Sequence, residues 1–315
     1  MLQVLVGSKI PFMRYRRYAY IFSLAIILGG IVSVVTKHGF KEGVDFAGGI
    51  LVEYRFNQRL DTDKLRGDLA QGGFGDAEIQ ASEGGESFLI RVPAPEERVA
   101  GEKPPSRRIL EAVQKGSPGV TGDLLREEVV GPRVGRELRG KAFWAVLLAL
   151  VGILIWVGIR YEFRFALGGV ISIAHDVLVV LSFISFFNKE ITIPIIAALL
   201  TIAGYSINDT IVVFDRIRER LRGSGRTADA SLFDLAVNQT LSRTIMTSLT
   251  VILTVEALLF MGGSVIHDFS WAMLIGVGFG TYSSVYVASA LALDITLYGE
   301  KRKQLAQVQA ARVKA

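Results

Sequence analysis

Six stretches of this chain are apolar over roughly the 17 to 25 residues that a helix needs to cross a hydrocarbon layer about 30 Å thick. They run Tyr18–Val35, Phe143–Ile159, Phe165–Phe187, Ile191–Phe214, Ile245–Met261 and Phe269–Ile295. That layer holds no water to satisfy backbone N–H and C=O groups, so each stretch has to be an α-helix. Hydrophobic residues make up 50% of the chain, too many for a soluble domain, in which about 45–50% already counts glycine. The fold class is an α-helical polytopic membrane protein, and six spans leave both termini on one side.

Short loops rich in Lys and Arg stay in the cytoplasm. Lys9, Arg14, Arg16 and Arg17 precede the first span, and Arg160 and Arg164 lie between the second and third. Arg216, Arg218, Arg220, Arg222 and Arg226 follow the fourth, and Lys301, Arg302 and Lys303 follow the sixth. The opposite loops carry one basic residue, Lys189, in 188–190 and none in 262–268. Both termini are thereby expected in the cytoplasm and the long segment after the first span outside it, since long domains translocate largely regardless of charge. The expected division is a cytoplasmic N-terminus at 1–17, a first span at 18–35, an external domain at 36–142, a bundle at 143–298 with a cytoplasmic loop at 215–243, and a basic cytoplasmic tail at 299–315. This topology accounts for the net charge of +5; the partner it implies is the lipid bilayer, not nucleic acid. The first span is longer than the 7–15 residues of a cleaved signal peptide and no small-x-small site follows, so it reads as a retained anchor.

Within the external segment, Ile50–Phe56 alternates, Asp61–Gly72 has helical spacing at Leu65 and Leu69, and Ala77–Ala81 and Ser87–Val92 read as strands around a turn at Glu83-Gly84-Gly85. Pro105–Lys115 is a second amphipathic helix and Leu124–Val130 a last strand. The order β-α-β-β-α-β is that of a ferredoxin-like α+β unit. The Pro- and Glu-rich stretch Pro93–Pro105 reads as an exposed loop. The chain has no cysteine, which excludes disulfides, thiolate metal sites and cysteine nucleophiles. With His38 its only histidine and no serine-hydrolase, zincin or phosphate-loop pattern, the segment offers no catalytic constellation, metal site or cofactor site.

Chemistry is instead concentrated in the spans. An ionisable side chain at a helix centre costs about 2.5–3.5 kcal/mol on insertion scales, so a retained one needs a partner, a wet cavity or a function. His175 and Asp176 lie in the third span, Asp209 in the fourth between Asn208 and Thr210, Arg243 just before the fifth, Glu256 within it, and Asp294 near the end of the sixth. The depths of Asp209 and Arg243 on antiparallel neighbours suggest an ion pair. Such a pair serves equally as a proton relay or as a static link between helices, and the residues alone leave both open. His175-Asp176 likewise reads as a second relay element or an interhelical hydrogen-bond pair, Glu256 as a polar packing or cavity group, and Asp294 as interfacial. The charges Asp215, Arg216, Arg218, Glu219 and Arg220 read as a solvated cytoplasmic face. Gly276, Gly280, Ser284, Ala288 and Ala292 recur every fourth position in the last span, a close-packing stripe.

The stretch GYSINDTIVVFDRIRER at 204–220 resembles the fourth-span signature of the SecF family, membrane subunits that act with SecD beside the bacterial protein-export channel. Three more stretches carry the likeness: Gly43-Val44-Asp45-Phe46-Ala47-Gly48-Gly49 after the first span, Val130-Gly131-Pro132-Arg133-Val134-Gly135-Arg136-Glu137-Leu138 before the second, and Gly280-Thr281-Tyr282-Ser283-Ser284-Val285-Tyr286-Val287-Ala288-Ser289 in the last. The resemblance covers nearly the whole chain. It implies a six-helix bundle of the RND superfamily with a ferredoxin-like periplasmic domain, in the bacterial inner membrane, acting on the proton-motive force to help draw exported chains outward. Protons would be the coupling ion, with no other cofactor. The implied partners are SecD, the SecYEG channel with its small membrane subunits, exported preproteins, and SecA indirectly. In that family a fourth-span aspartate and a fifth-span arginine are held important for proton passage, and they match Asp209 and Arg243. The basic anchor at the start favours a separate subunit over a fused one. Two rival readings are a proton-driven exporter of small molecules or lipids from the same superfamily and a purely structural subunit of the export complex.

Overall fold

A computed structural model describes residues 7–81, 86–93, 103–224 and 229–314. The turn at 83–85, most of the loop at 93–105, and Arg226 lie outside the described residues. The chain divides into two compact units: Glu42–Phe143 with Glu190–Thr192, and the remainder.

The first unit is an antiparallel four-stranded sheet in the order β2-β3-β1-β4, from β1 (Gly49–Phe56), β2 (Glu78–Ala81), β3 (Ser87–Val92) and β4 (Gly122–Val130). Its helices, numbered along the whole chain after the first span α1 (Arg16–Thr36), are α2 (Val44–Ala47), α3 (Thr62–Gln71) and α4 (Pro105–Gly116). This is the ferredoxin-like topology read from the sequence, and alternation is what made it readable. Ile50, Val52, Tyr54 and Phe56 of β1 pack with Phe88, Ile90 and Val92 of β3 beneath Leu65, Leu69, Ile109 and Val113 of the helices. Register holds that face together, with Ile50 opposite Val92 and Val52 opposite Ile90. Asp61 caps α3 by accepting from the Asp63 and Lys64 amides at 2.9 and 3.1 Å, which satisfies two otherwise orphaned donors. The tripeptide Glu190–Thr192, read from sequence as part loop and part span, belongs to this unit. The Gly43 amide donates to the Ile191 carbonyl at 2.8 Å, and Glu190 pairs with Arg91. Burial lowers the Arg91 pKa, while Glu78 at 3.4 Å opposes that shift.

The second unit is helical. Besides α1 it contains α6 (Phe163–Phe186), α7 (Ile193–Ser224), α8 (Ala230–Met261), and α9 (Gly263–Ser283) running through a π turn (Ser284–Ala288) into α10 (Ser289–Lys314). It also takes the larger part of α5 (Pro132–Arg160). Six of these helices are long and apolar enough to cross a membrane. The chain is a multi-pass membrane protein.

The helices run well past the apolar windows. The cytoplasmic loop expected at 215–243 is largely the end of α7 and the start of α8, and the basic tail at 299–315 is largely α10. Arginine is a good helix former, so leaving the membrane ends the apolar pattern without ending the helix. Asp229 starts α8 by accepting from the Leu232 amide at 2.8 Å.

The N-terminal segment is anchored as well. Phe12 and Met13 are buried and the Met13 amide donates to Asp234 at 2.8 Å. Asn238 brackets Ile10 by accepting from its amide at 3.0 Å and donating to its carbonyl at 2.9 Å. Replacing Asn238 with alanine removes both bonds and a third that its Oδ1 accepts from the Ser8 hydroxyl at 2.8 Å, each worth about 0.5–1.5 kcal/mol. Trypsin cleavage after Lys9 in the full-length protein should then accelerate about tenfold or more; an unchanged rate would mean that the anchor lies elsewhere.

Candidate functional site

The bundle interior holds two carboxylates, each among hydroxyl groups. Asp176 is fully buried on α6. Its Oδ2 accepts from Ser206 of α7 at 2.5 Å and from Ser283 of α9 at 2.8 Å. Its Oδ1 lies 2.9 Å from His175 Nδ1, and His175 Nε2 lies 2.9 Å from Ser23 Oγ of α1. Ser23 in turn contacts Tyr282 at 3.2 Å, and Tyr282 donates to the Ala19 carbonyl at 2.9 Å. The pair read from sequence is therefore a hub joining three helices to α6. If His175 is neutral, donating from Nδ1 to Asp176 leaves Nε2 to accept from Ser23.

Asp209 is 3% exposed on α7. Thr247 and Ser248 of α8 donate to it at 3.5 and 3.4 Å. Ser248 also meets Thr281 of α9 at 2.6 Å and accepts from Tyr205 at 3.1 Å. The ion pair expected with Arg243 is absent. Arg243 is exposed, and its guanidinium acts on Asp209 only from beyond the 4.0 Å of a salt bridge. Position along the helix is the reason: Thr247 and Ser248, one turn further along α8, are level with Asp209, and the Arg243 side chain is exposed on the outside of the bundle.

The residues flanking Asp209 separate by face. Asn208 is exposed, and Thr210 is buried with no partner for its hydroxyl among the described residues, so neither joins the cluster. Thr201, Gly204 and Asn208 on α7 are exposed, as are Arg243, Thr250 and Thr254 on α8. At helical spacing these form a polar stripe on each helix. Glu256 is half-buried and Asp294 binds Arg16 at 3.0 Å and Tyr20 at 3.1 Å.

The small-residue stripe packs within this chain and changes neighbour halfway. A Cβ on Gly276 would lie 2.2 Å from the Ile202 side chain, and one on Gly280 3.4 Å from Ser206, both on α7. At the end of the π turn and just past it, the Ala288 carbonyl and Ala292 amide lie against Gly168 of α6, at 3.3 and 3.5 Å from the Cβ it lacks. Ser284 and Ala288 are fully buried.

The two motif blocks around Asp45 and Pro132 meet in space. A Cβ on Gly135 of α5 would stand 2.6 Å from the Phe46 carbonyl oxygen, and one on Gly48 3.0 Å from the Pro132 Cα. Gly48 and Gly49 have φ of +76° and +148°, open to glycine and strained for other residues. Arg139 donates to Glu42 and, at 3.4 Å, to the Phe46 carbonyl. Their shared role is the junction between α2, β1 and the start of α5. Gly131 has open space around it.

Sequence reasoning also missed the part played by the run after Asp209. Far from merely solvated, Asp215 accepts from Tyr161 at 3.0 Å, and Arg218 lies 6.0 Å from the centre of that ring. Arg216 and Arg220 both donate to Gln239 Oε1 of α8, at 2.7 and 3.1 Å, and Arg216 also pairs with Glu219 at 2.5 Å. Burial and then the Asp215 carboxylate push the Tyr161 hydroxyl up to about 12, so it remains a donor at neutral pH. A charged run with i, i+3 pairs would have been the signal, but its partners lie on other elements.

Residues 113–297 match the family model of the protein export membrane protein SecD/SecF, C-terminal, and residues 33–58 that of the SecD/SecF GG motif. The protein translocase subunit SecF of Vibrio alginolyticus is 42% identical over 301 residues, 95% of this chain and 94% of that one. The corresponding subunit of Magnetococcus marinus is 43% identical over 305 residues, 96% and 97% of the two chains. A crystal structure of SecDF, a translocon-associated membrane protein from Thermus thermophilus, matches with a TM-score of 0.81 at 39% identity. That match covers 92% of this chain but 39% of the SecDF chain, so this chain spans about two fifths of it. Gly48 and Gly49 of the glycine junction fall within the matched motif, and Gly135 and the buried carboxylates within the matched C-terminal region; by these matches the chain belongs to the SecD/SecF family, on its SecF branch.

Proposed function

We propose that this chain is the half of a SecDF pair in which Asp209 takes up and releases a proton as the bundle moves, so that the proton-motive force assists export of proteins through the Sec channel. The observation that carries the reading is the setting of Asp209, a carboxyl inside the membrane-spanning bundle with hydroxyl partners and no ion pair. Hydroxyls serve both protonation states, donating to the anion and accepting from the acid, whereas a salt bridge would hold the anion alone. Asp176 and His175 extend the same polar interior, and Arg243 supplies a field from outside the cluster.

The finer assignments follow from this reading. The Arg243 and Asn208 side chains make no hydrogen bond or ion pair among the described residues, and both residues are exposed on the polar stripes of α8 and α7. Polar groups on the outside of a membrane bundle favour a protein neighbour over lipid, which supports pairing of this surface with SecD. The basic ends of α7 and α10 support a cytoplasmic location for both termini and a periplasmic one for the domain at 36–142, in the bacterial inner membrane. SecYEG, exported preproteins and, indirectly, SecA are the remaining partners.

The test is release of a secreted protein from spheroplasts carrying Asp209→Asn, with and without a protonophore, once the variant is shown to copurify with SecD. Release is expected to fall to the protonophore-treated level. Normal release that stays protonophore-sensitive would make Asp209 a packing group and the chain a structural subunit.

A further inference from the structure

The helices α1 and α6 touch along a line of small and polar residues. Ser23 meets His175, Gly30 meets Ser182, and Ser33 meets Ser185 at 2.8 Å. Gly30 sets the distance, since a Cβ there would lie 2.0 Å from Ser182 Oγ and 2.8 Å from its Cα. Bulky residues flanking this line diverge around the cylinders of the two helices, and a groove opens between them. It has a volume of about 230 Å³, walled by Ile27, Ile31, Val34 and Val35 of α1 and Leu178 and Leu181 of α6, with almost no polar surface.

One end of the groove is built differently from the rest. Both helices finish there in the same C-terminal motif. The Gly39 amide donates to Val34 and the His38 amide to Val35, at 2.9 and 3.2 Å; the Lys189 amide donates to Ile184 and the Asn188 amide to Ser185, at 2.9 and 3.1 Å. His38 and Asn188 take the left-handed position of that motif, with φ of +57° and +52°. The turn after α1 brings Phe40 back as an end wall of the groove. Lys37 reaches across the helix seam and donates from Nζ to the Ser185 carbonyl. An ammonium has three donors, so two remain, and no carboxylate pairs with it among the described residues. Lys189, the other cation at this end, is held by Asp268 at 2.9 Å.

We propose that this groove binds one acyl chain of an anionic glycerophospholipid, with the lipid phosphate on Lys37. From Ile27 to Lys37 the helix rises about 15 Å, half of a hydrocarbon core of about 30 Å. The groove therefore spans one leaflet, and the cation stands at headgroup level where that leaflet ends. A nearly apolar wall under an ammonium that has no carboxylate partner among the described residues matches a lipid tail under its phosphate. The polar stripes on α7 and α8 lie on other helices, so this site does not depend on the proposed pairing surface.

Native mass spectrometry of the full-length protein with phosphatidylglycerol or phosphatidylcholine added back tests the site. Wild type should retain one phosphatidylglycerol more than Ile31→Trp, in which the indole fills the groove. Displacing two methylenes is worth about tenfold in affinity, so occupancy should fall by about that factor. Lys37→Gln should keep the bound lipid but lose the preference for phosphatidylglycerol. Equal retention by wild type and Ile31→Trp would overturn the proposal. A benzoylphenylalanine at Val35, 68% exposed, should crosslink in native membranes to a species of phospholipid mass. A protein adduct there would overturn it too, by giving the groove to a partner helix.

Discussion

Gly49→Val should strongly destabilise the sheet unit in a chain that still inserts into the membrane. Two costs combine at that position. Gly49 has φ of +148°, which costs a β-branched residue about 1–3 kcal/mol. A Cβ there would also stand 2.9 Å from the Val92 carbonyl oxygen. That oxygen belongs to the backbone of β3, paired directly with β1, and cannot turn aside as a side chain would; overpacking of this kind costs about 1–3 kcal/mol more. Together they take about 2–6 kcal/mol from a domain of a class whose whole stability is about 5–15 kcal/mol. Limited proteolysis of membrane vesicles should cleave the strands and helices of this unit markedly faster in the variant than in wild type. The control lies in the neighbouring motif, since Gly131→Ala adds a methyl to open space and should change protection little. Equal protection of Gly49→Val and Gly131→Ala would dissolve the distinction between these glycines.

Asp176→Leu should lower the melting temperature of the solubilised protein strongly, and Asp176→Asn only slightly. Leucine leaves the Ser206 and Ser283 hydroxyls and the His175 ring nitrogen without their partner. Interhelical hydrogen bonds in membranes are worth about 0.6–1.7 kcal/mol each, so three lost bonds cost about 2–5 kcal/mol. Asparagine keeps a carbonyl for the two hydroxyls and offers its NH₂ to His175 Nδ1. The imidazole can accept there by changing tautomer, after which Nε2–H donates to Ser23. The ordering Leu well below Asn is the checkable result; equal melting points would mean that the hub does not bind the helices together.

What could be read in the sequence follows from which forces are local. The six spans were legible because a hydrocarbon layer imposes length and apolarity on each segment by itself, and β1 was legible because Ile50 to Phe56 alternates. Helix ends were not legible, since Asp215–Ser224 and Ala230–Thr244 change solvent without meeting a breaker. Asp209 and Asp176 stood out because a charge in an apolar run is conspicuous without any knowledge of its neighbours. The missing bond to Arg243 depends on which turn of α8 is level with Asp209, an offset of about 6 Å along the axis between Arg243 and Thr247 that no local pattern reports. The meeting of Phe46 with Gly135 joins residues nearly a hundred positions apart, and no local pattern reports it.

The π turn at Ser284–Ala288 gives the last span one more residue than an α-helix would use over the same rise. Each residue of an α-helix turns the chain by about 100°, so the surplus acts as an angular offset between the two ends of one rod. Ahead of it, Gly276 and Gly280 lie against Ile202 and Ser206 of α7 and Ser283 donates to Asp176 of α6; past it, the Ala292 amide lies against Gly168 of α6 and Asp294 binds Arg16 of α1. The last span thus meets α7 and α6 at one phase and α6 and α1 at another, and removing the surplus residue would turn one of these sets of contacts away from its neighbours by about 100°.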